Sequence, residues 1–141
     1  VLKPSTTTRG KSLIIVDDDK VLNSLIKKYI EKNFPSIKVF QAFDGFEAGS
    51  LMAKERPGLV LLDLDLPGVD GFSLCKKIKR DVMFKNPFIV VITALKDVDL
   101  AEKVSDLGSN YFLTKPLNME QVGAIVNQWV GMATDKANDE S

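Results

Sequence analysis

Leu59-Val60-Leu61-Leu62-Asp63 is a run of four aliphatic residues that closes on a carboxylate; Leu64-Asp65-Leu66-Pro67-Gly68-Val69-Asp70-Gly71 follows as a turn-rich loop. The run lacks polar/apolar alternation, the pattern of a strand buried on both faces of a parallel sheet. Working outward, three more apolar runs end the same way. Leu13 to Val16 leads into Asp17-Asp18-Asp19, Phe88 to Ile92 into Thr93-Ala94, and Tyr111 to Leu113 into Thr114-Lys115-Pro116. A polar group after an apolar run sits at a strand's mouth. Four such mouths meet only if the strands are parallel neighbours in one sheet.

Helical spacing separates the runs. Val21, Leu22, Leu25, Ile26, Tyr29 and Ile30 recur along the first helix, with Asp19 as its N-cap and Pro35 beyond its end. Residues 38–42 read as a second strand. Residues 44–54 read as a helix with Phe46, Leu51 and Met52 facing inward, broken by Pro57-Gly58. Residues 72–80 form a helix with Leu74, Cys75 and Ile78 on one side. Residues 97–107 form a fourth helix, stopped by Gly108. Asn118 with Gln121 opens a fifth, whose stripe is Val122, Ile125, Val126, Trp129 and Val130. Five β-α units with right-handed crossovers predict a doubly wound three-layer α/β sandwich with five helices. In that architecture ligands bind at the C-terminal ends of the strands, where Asp17, Asp63, Thr93 and Lys115 fall.

A chain of 141 residues fits one domain. The predicted core is 12–133, between polar tails at 1–11 and 134–141 that read as flexible linkers. Basic and acidic residues number 19 each, and no basic stripe points to nucleic acid. No apolar run approaches the roughly 20 residues that cross a bilayer, no leader segment opens the chain, and the lone Cys75 fits a reducing compartment, so a cytoplasmic location is expected. The chain has no histidine. That excludes histidine-dependent nucleophilic catalysis, an ordinary histidine-containing zinc site and a phosphohistidine carrier. What remains is carboxylate, hydroxyl, lysine and metal chemistry.

Asp17, Asp18 and Asp63 brought together repel, and a hard divalent cation is the natural offset. Mg²⁺ takes one or two carboxylates and leaves positions for phosphate oxygens. An aspartate can itself attack phosphorus to give an acyl phosphate. Asp63, at the end of the central run, is the candidate nucleophile.

Asp17-Asp18, Asp63 with Pro67-Gly68-Val69-Asp70-Gly71, Thr93-Ala94 and Lys115-Pro116 form an ordered set. On these motifs the chain resembles a receiver domain of the two-component response-regulator family, over about 120 residues. The resemblance implies the flavodoxin-like strand order 2-1-3-4-5. It implies that Asp63 accepts phosphate from a sensor histidine kinase or a histidine phosphotransfer protein. Asp17, Asp18 and Asp63 would hold Mg²⁺, joined by the Asp65 main-chain carbonyl. Thr93 would be the switch hydroxyl, Lys115 the phosphate-pairing lysine and Phe112 the rotating aromatic. It further implies a frequently cis Lys115-Pro116 bond, and that Asp65 and Leu95 tune water attack on the acyl phosphate. Output partners would dock on the face made by the fourth helix, the fifth strand and the fifth helix; a homodimer is left open. The resemblance is to a signalling switch, not a turnover enzyme.

Blander readings exist for each part. Asp17 to Asp19 can be a helix cap, Asp63 a loop cap, Thr93 a β-former and Lys115 a surface residue; jointly they do not explain why all four fall on one edge. Gly10-Lys11-Ser12 resembles the end of a phosphate-binding loop, but Ser5 stands where its first glycine belongs and the segment precedes a strand. Asp63-Leu64-Asp65 resembles the nucleophile loop of haloacid-dehalogenase-type phosphatases, whose motif instead follows the first strand. A receiver serving only as an interaction module is the third reading.

Overall fold

The computed structural model describes residues 11–94, 102, 106 and 108–140. Five strands, β1 (Ser12–Val16), β2 (Lys38–Ala42), β3 (Leu59–Asp63), β4 (Phe88–Thr93) and β5 (Tyr111–Thr114), form one sheet in the order β2-β1-β3-β4-β5. Every neighbouring pair is parallel. This is the doubly wound, flavodoxin-like order, as expected. β1, β3 and β4 are buried at every residue, which is why their sequences carry no alternation. Side chains still alternate between two cores. Ile14, Val16, Val60, Leu62, Ile89 and Val91 face one, and Leu13, Ile15, Leu59, Leu61, Val90 and Ile92 face the other.

Four helices are counted among the described residues: α1 (Lys20–Asn33), α2 (Gly45–Glu55), α3 (Gly71–Arg80) and α4 (Met119–Glu140), with a 3₁₀ turn at Val82–Phe84. The helix expected over 97–107 lies outside the described residues except at Glu102 and Asp106. Aspartates cap three helices. Asp19, Asp44 and Asp70 accept from the backbone N–H groups of Leu22, Glu47 and Phe72 at 3.1, 2.7 and 3.0 Å. Asn118 Oδ1 accepts from Glu120 N–H at 2.8 Å at the start of α4.

Two expectations change. Phe46 does not face inward: it is 84% exposed, and Ala48 and Met52 are the buried residues of α2. Positions 48 and 52 are four apart and share a face, while position 46 lies two residues from 48 and therefore points well away from it. The last helix also outruns its apolar stripe. It continues to Glu140 through the segment expected as a tail, because no proline or glycine after Gly131 interrupts it.

Candidate phosphoryl and metal site

The strand ends bring the predicted groups together. Asp17 lies one residue beyond β1, Asp63 closes β3, Thr93 closes β4 and Lys115 follows β5. Asp17 and Asp63 are each 1% exposed and Thr93 is fully buried; Asp18 is exposed. Short backbone bonds fix the edge. Asp17 N–H donates to Ala42 O at 3.1 Å, Leu64 N–H to Ile92 O at 2.9 Å and Lys115 N–H to Thr93 O at 2.9 Å. The loop after Asp63 packs against the start of α3 so closely that a Cβ on Gly71 would lie 2.5 Å from Leu64 O. Only glycine fits there. The Lys115-Pro116 bond is cis.

Lys115 Nζ donates to Asp63 Oδ2 at 3.0 Å and lies 3.4 Å from Asp17 Oδ2. The other Asp63 oxygen accepts from Asp65 N–H at 2.8 Å, and Asp17 Oδ1 accepts from Asp19 N–H at 2.9 Å. Asp17 Oδ2 is buried with no hydrogen-bond partner. Burial raises the Asp17 pKa, and the Asp63 charge adds to it; the Asp19 N–H and the Lys115 ammonium pull the other way. The net result is about 6 against an ordinary 3.8. Burial pulls the Lys115 ammonium down, but the hydrogen bond and charge of Asp63, with the charge of Asp17, outweigh it and hold the group above its ordinary value.

Carboxylate oxygens of Asp17, Asp18 and Asp63 lie within 4.8 Å of one another. Three carboxylates with hard oxygen donors, one of them carrying a buried oxygen with no hydrogen-bond partner, fit a divalent cation that prefers oxygen ligands. The Asp65 carboxylate is not in this group. It accepts from Ala94 N–H at 3.2 Å, tying the loop after β3 to the end of β4. Leu95 lies outside the described residues. Phe112 is 39% exposed, its ring at the surface on β5; its neighbour Tyr111 donates its hydroxyl to Gln128 Oε1 at 3.0 Å.

One residue beside the site has no counterpart among the sequence-based expectations. Asn23 is fully buried on α1. Its Nδ2 lies 3.0 Å from Asp17 O, 3.2 Å from Ala42 O and 3.5 Å from Ile15 O, and its Oδ1 accepts from Gln41 Nε2 at 3.0 Å. The sequence signal is a polar residue in register with the buried Ile26 and Ile30 of the same helix.

The response regulator receiver domain model matches residues 13–127. The chain belongs to this family. It is 29% identical over 126 residues to sporulation initiation phosphotransferase F of Bacillus subtilis, covering 89% of this chain and 98% of that protein. It is 33% identical over 114 residues to the DNA-binding dual master transcriptional regulator RpaA of Synechocystis, covering 81% of this chain but only 46% of that protein. Among solved structures, the signal receiver domain of a DNA-binding response regulator from Colwellia psychrerythraea superposes with a TM-score of 0.82 at 31% identity, over 86% of this chain and 98% of that one. This receiver therefore matches one relative along nearly its whole length and another along under half. Among the described residues, no helix is long and apolar enough to cross a membrane.

Proposed function

We propose that this receiver is a phosphorylation switch whose acceptor is Asp63. The observation that carries the reading is the Asp17–Asp63–Lys115 cluster: two carboxylates almost without solvent access, sharing one half-buried ammonium, at the C-terminal edge of a parallel sheet. The donor is a phosphohistidine on a sensor histidine kinase or a histidine phosphotransfer protein. An oxygen of Asp63 attacks phosphorus, the P–N bond to the donor breaks, and its electron pair leaves with the imidazole nitrogen, which takes up a proton.

Asp17, Asp18 and Asp63 would hold Mg²⁺, with the Asp65 main-chain carbonyl. When bound, the ion supplies charge neutralisation for the transferring phosphoryl oxygens. Lys115, already 3.0 Å from Asp63 Oδ2, pairs with the new phosphate. Thr93 donates its hydroxyl to a phosphate oxygen, and Phe112 leaves the surface for the space so vacated. Output partners read the resulting change on the face that includes β5 and α4. The protein works in the cytoplasm and does not itself contact nucleic acid. The chemistry serves its own modification, so it is a switch and not a turnover enzyme.

The test is acetyl phosphate with Mg²⁺, followed by intact-mass spectrometry, on wild type and Asp63→Ala. Wild type gains one phosphoryl group and the variant gains none. Beryllofluoride with Mg²⁺ shifts the amide resonances of β5 and α4 in wild type only. Modification elsewhere, or none with a competent donor, overturns the reading; so does steady hydrolysis of small phosphate esters, the behaviour of a phosphatase.

A further inference from the structure

Two consecutive aspartates, Asp17 and Asp18, bring carboxylate oxygens within 4.8 Å of one from Asp63 across the sheet edge, and like charges push such a turn outward into water. Something must hold it. The ladder between β1 and β2 ends at Val16↔Ala42; Ala42 O there already accepts from Asp17 N–H at 3.1 Å, but its second lone pair and the Asp17 carbonyl can take further donors. Asn23 supplies them. An amide NH₂ has two protons, and its two shorter contacts go to the carbonyls of Asp17 and Ala42. Gln41, half-buried on β2, donates to the Asn23 oxygen. That bond sets the amide's orientation, because a flipped Asn23 would turn its own oxygen toward the carbonyls.

The Asp17–Asp19 turn is thus held by three ties: Asp17 N–H to Ala42, the Asp17 carbonyl to Asn23, and Asp19 N–H to the Asp17 carboxylate. The last uses one Asp17 oxygen and leaves the other for the pocket. We infer that Asn23, oriented by Gln41, is a positioning residue that holds the Asp17–Asp18 turn in its cation-binding geometry. The inference rests on the reading that these acids hold Mg²⁺. Asn23 touches none of the reacting atoms; it acts on the backbone of a residue that does.

The test measures Mg²⁺ affinity of folded protein by calorimetric titration, and acetyl-phosphate labelling of Asp63 as a function of Mg²⁺ concentration. The variants are Asn23→Leu, which keeps bulk but removes the donors, and Gln41→Ala, which frees the amide to flip and leaves the buried residue in place. Asn110→Ala is the stability control. Its Oδ1 accepts from Ile89 N–H and Lys79 Nζ at the other end of the sheet. Groups that orient metal ligands typically change affinity by 10–100-fold, so Asn23→Leu is expected to raise the Mg²⁺ dissociation constant about tenfold, with a smaller rise for Gln41→Ala. Labelling slows at low Mg²⁺ and recovers at high Mg²⁺, and Asn110→Ala binds as wild type. Should Asn23→Leu not fold, Gln41→Ala carries the test alone. Wild-type affinity in the folded variants, or an equal loss in Asn110→Ala, overturns the inference while leaving the proposed function standing. Wild type that binds no Mg²⁺ fails the proposed function first.

Discussion

Asp17→Asn is expected to stabilise the metal-free protein at neutral pH. Asp17 is 1% exposed, and one of its oxygens is buried without a partner. Its carboxyl titrates at about 6 in place of 3.8, first because of burial and further because of the Asp63 charge. Each pKa unit corresponds to about 1.4 kcal/mol, so holding this group ionised at pH 7 costs the folded state up to about 3 kcal/mol. The sign follows from the folded pKa lying above the unfolded one. The stabilising influence of the bound proton is complete below pH 3.8, declines as pH rises, and is gone above about 6. The amide variant escapes that cost, and its oxygen still accepts from Asp19 N–H. Losing the attraction of Lys115 at 3.4 Å is already contained in the net pKa. The expected gain is about 1–3 kcal/mol at pH 7 in EDTA, shrinking to nothing near pH 4. Urea unfolding is followed through the single tryptophan, Trp129, buried at 7% exposure on α4. Mg²⁺ at a hundred times its dissociation constant then adds about 2.7 kcal/mol to wild type and nothing to the variant, closing or reversing the gap. An Asp17→Asn protein that is no more stable than wild type at pH 7 without metal would refute the reasoning.

Two further outcomes follow from burial. Cys75 is fully buried and burial pushes its thiol up to about 11 from an ordinary 9.0, against a small opposing pull from the Lys79 charge; native protein should resist thiol reagents at pH 8, with labelling paced by unfolding. Because the folded pKa is the higher one, stability holds below pH 9 and falls as pH rises toward 11, a decline absent in Cys75→Ser; rapid labelling of native protein would contradict the placement. On α2, Phe46→Ala should change unfolding free energy by no more than about 0.5 kcal/mol, whereas Met52→Ala, at a fully buried position of the same helix, should cost about 2–5 kcal/mol. Equal losses in denaturant titrations would restore an inward Phe46.

What the sequence makes legible here tracks how local the cause is. β1, β3 and β4 are unbroken aliphatic runs that end in polar residues, so their burial and their mouths can both be read from neighbouring letters. Asp19 and Asp44 cap helices by bonds to residues three positions on, equally local. α2 misleads because one of its two buried residues is Ala48, which signals little hydrophobicity, while the large Phe46 sits off the buried face. α1 shows the same limit. Val21 and Leu25 belong to its apolar repeat but are 71% and 53% exposed, since the repeat covers a wider arc than the sheet covers. Asn23 is the hardest case. Its role exists only where carbonyls of β1 and β2 converge, and its partner Gln41 lies 18 residues away. No window of sequence holds both halves of that interaction.

The two apolar cores lie on either side of the sheet, and the acids lie at its edge, so stability and chemistry draw on different residues. That separation allows a cluster that works against folding to persist. Lys115 is shared between Asp63 at 3.0 Å and Asp17 at 3.4 Å, an arrangement in which neither carboxylate is fully compensated. Under the proposed transfer, the added phosphate charge draws the ammonium toward Asp63. Lys115 N–H is bonded to Thr93 O, so a shift of the lysine backbone strains the joint between β4 and β5. Phe112 lies on β5 two residues before that joint's partner Thr114, opposite Val91 in register. A charge gained at one carboxylate therefore has a short mechanical route, through one side chain and one backbone bond, to an aromatic ring at the surface.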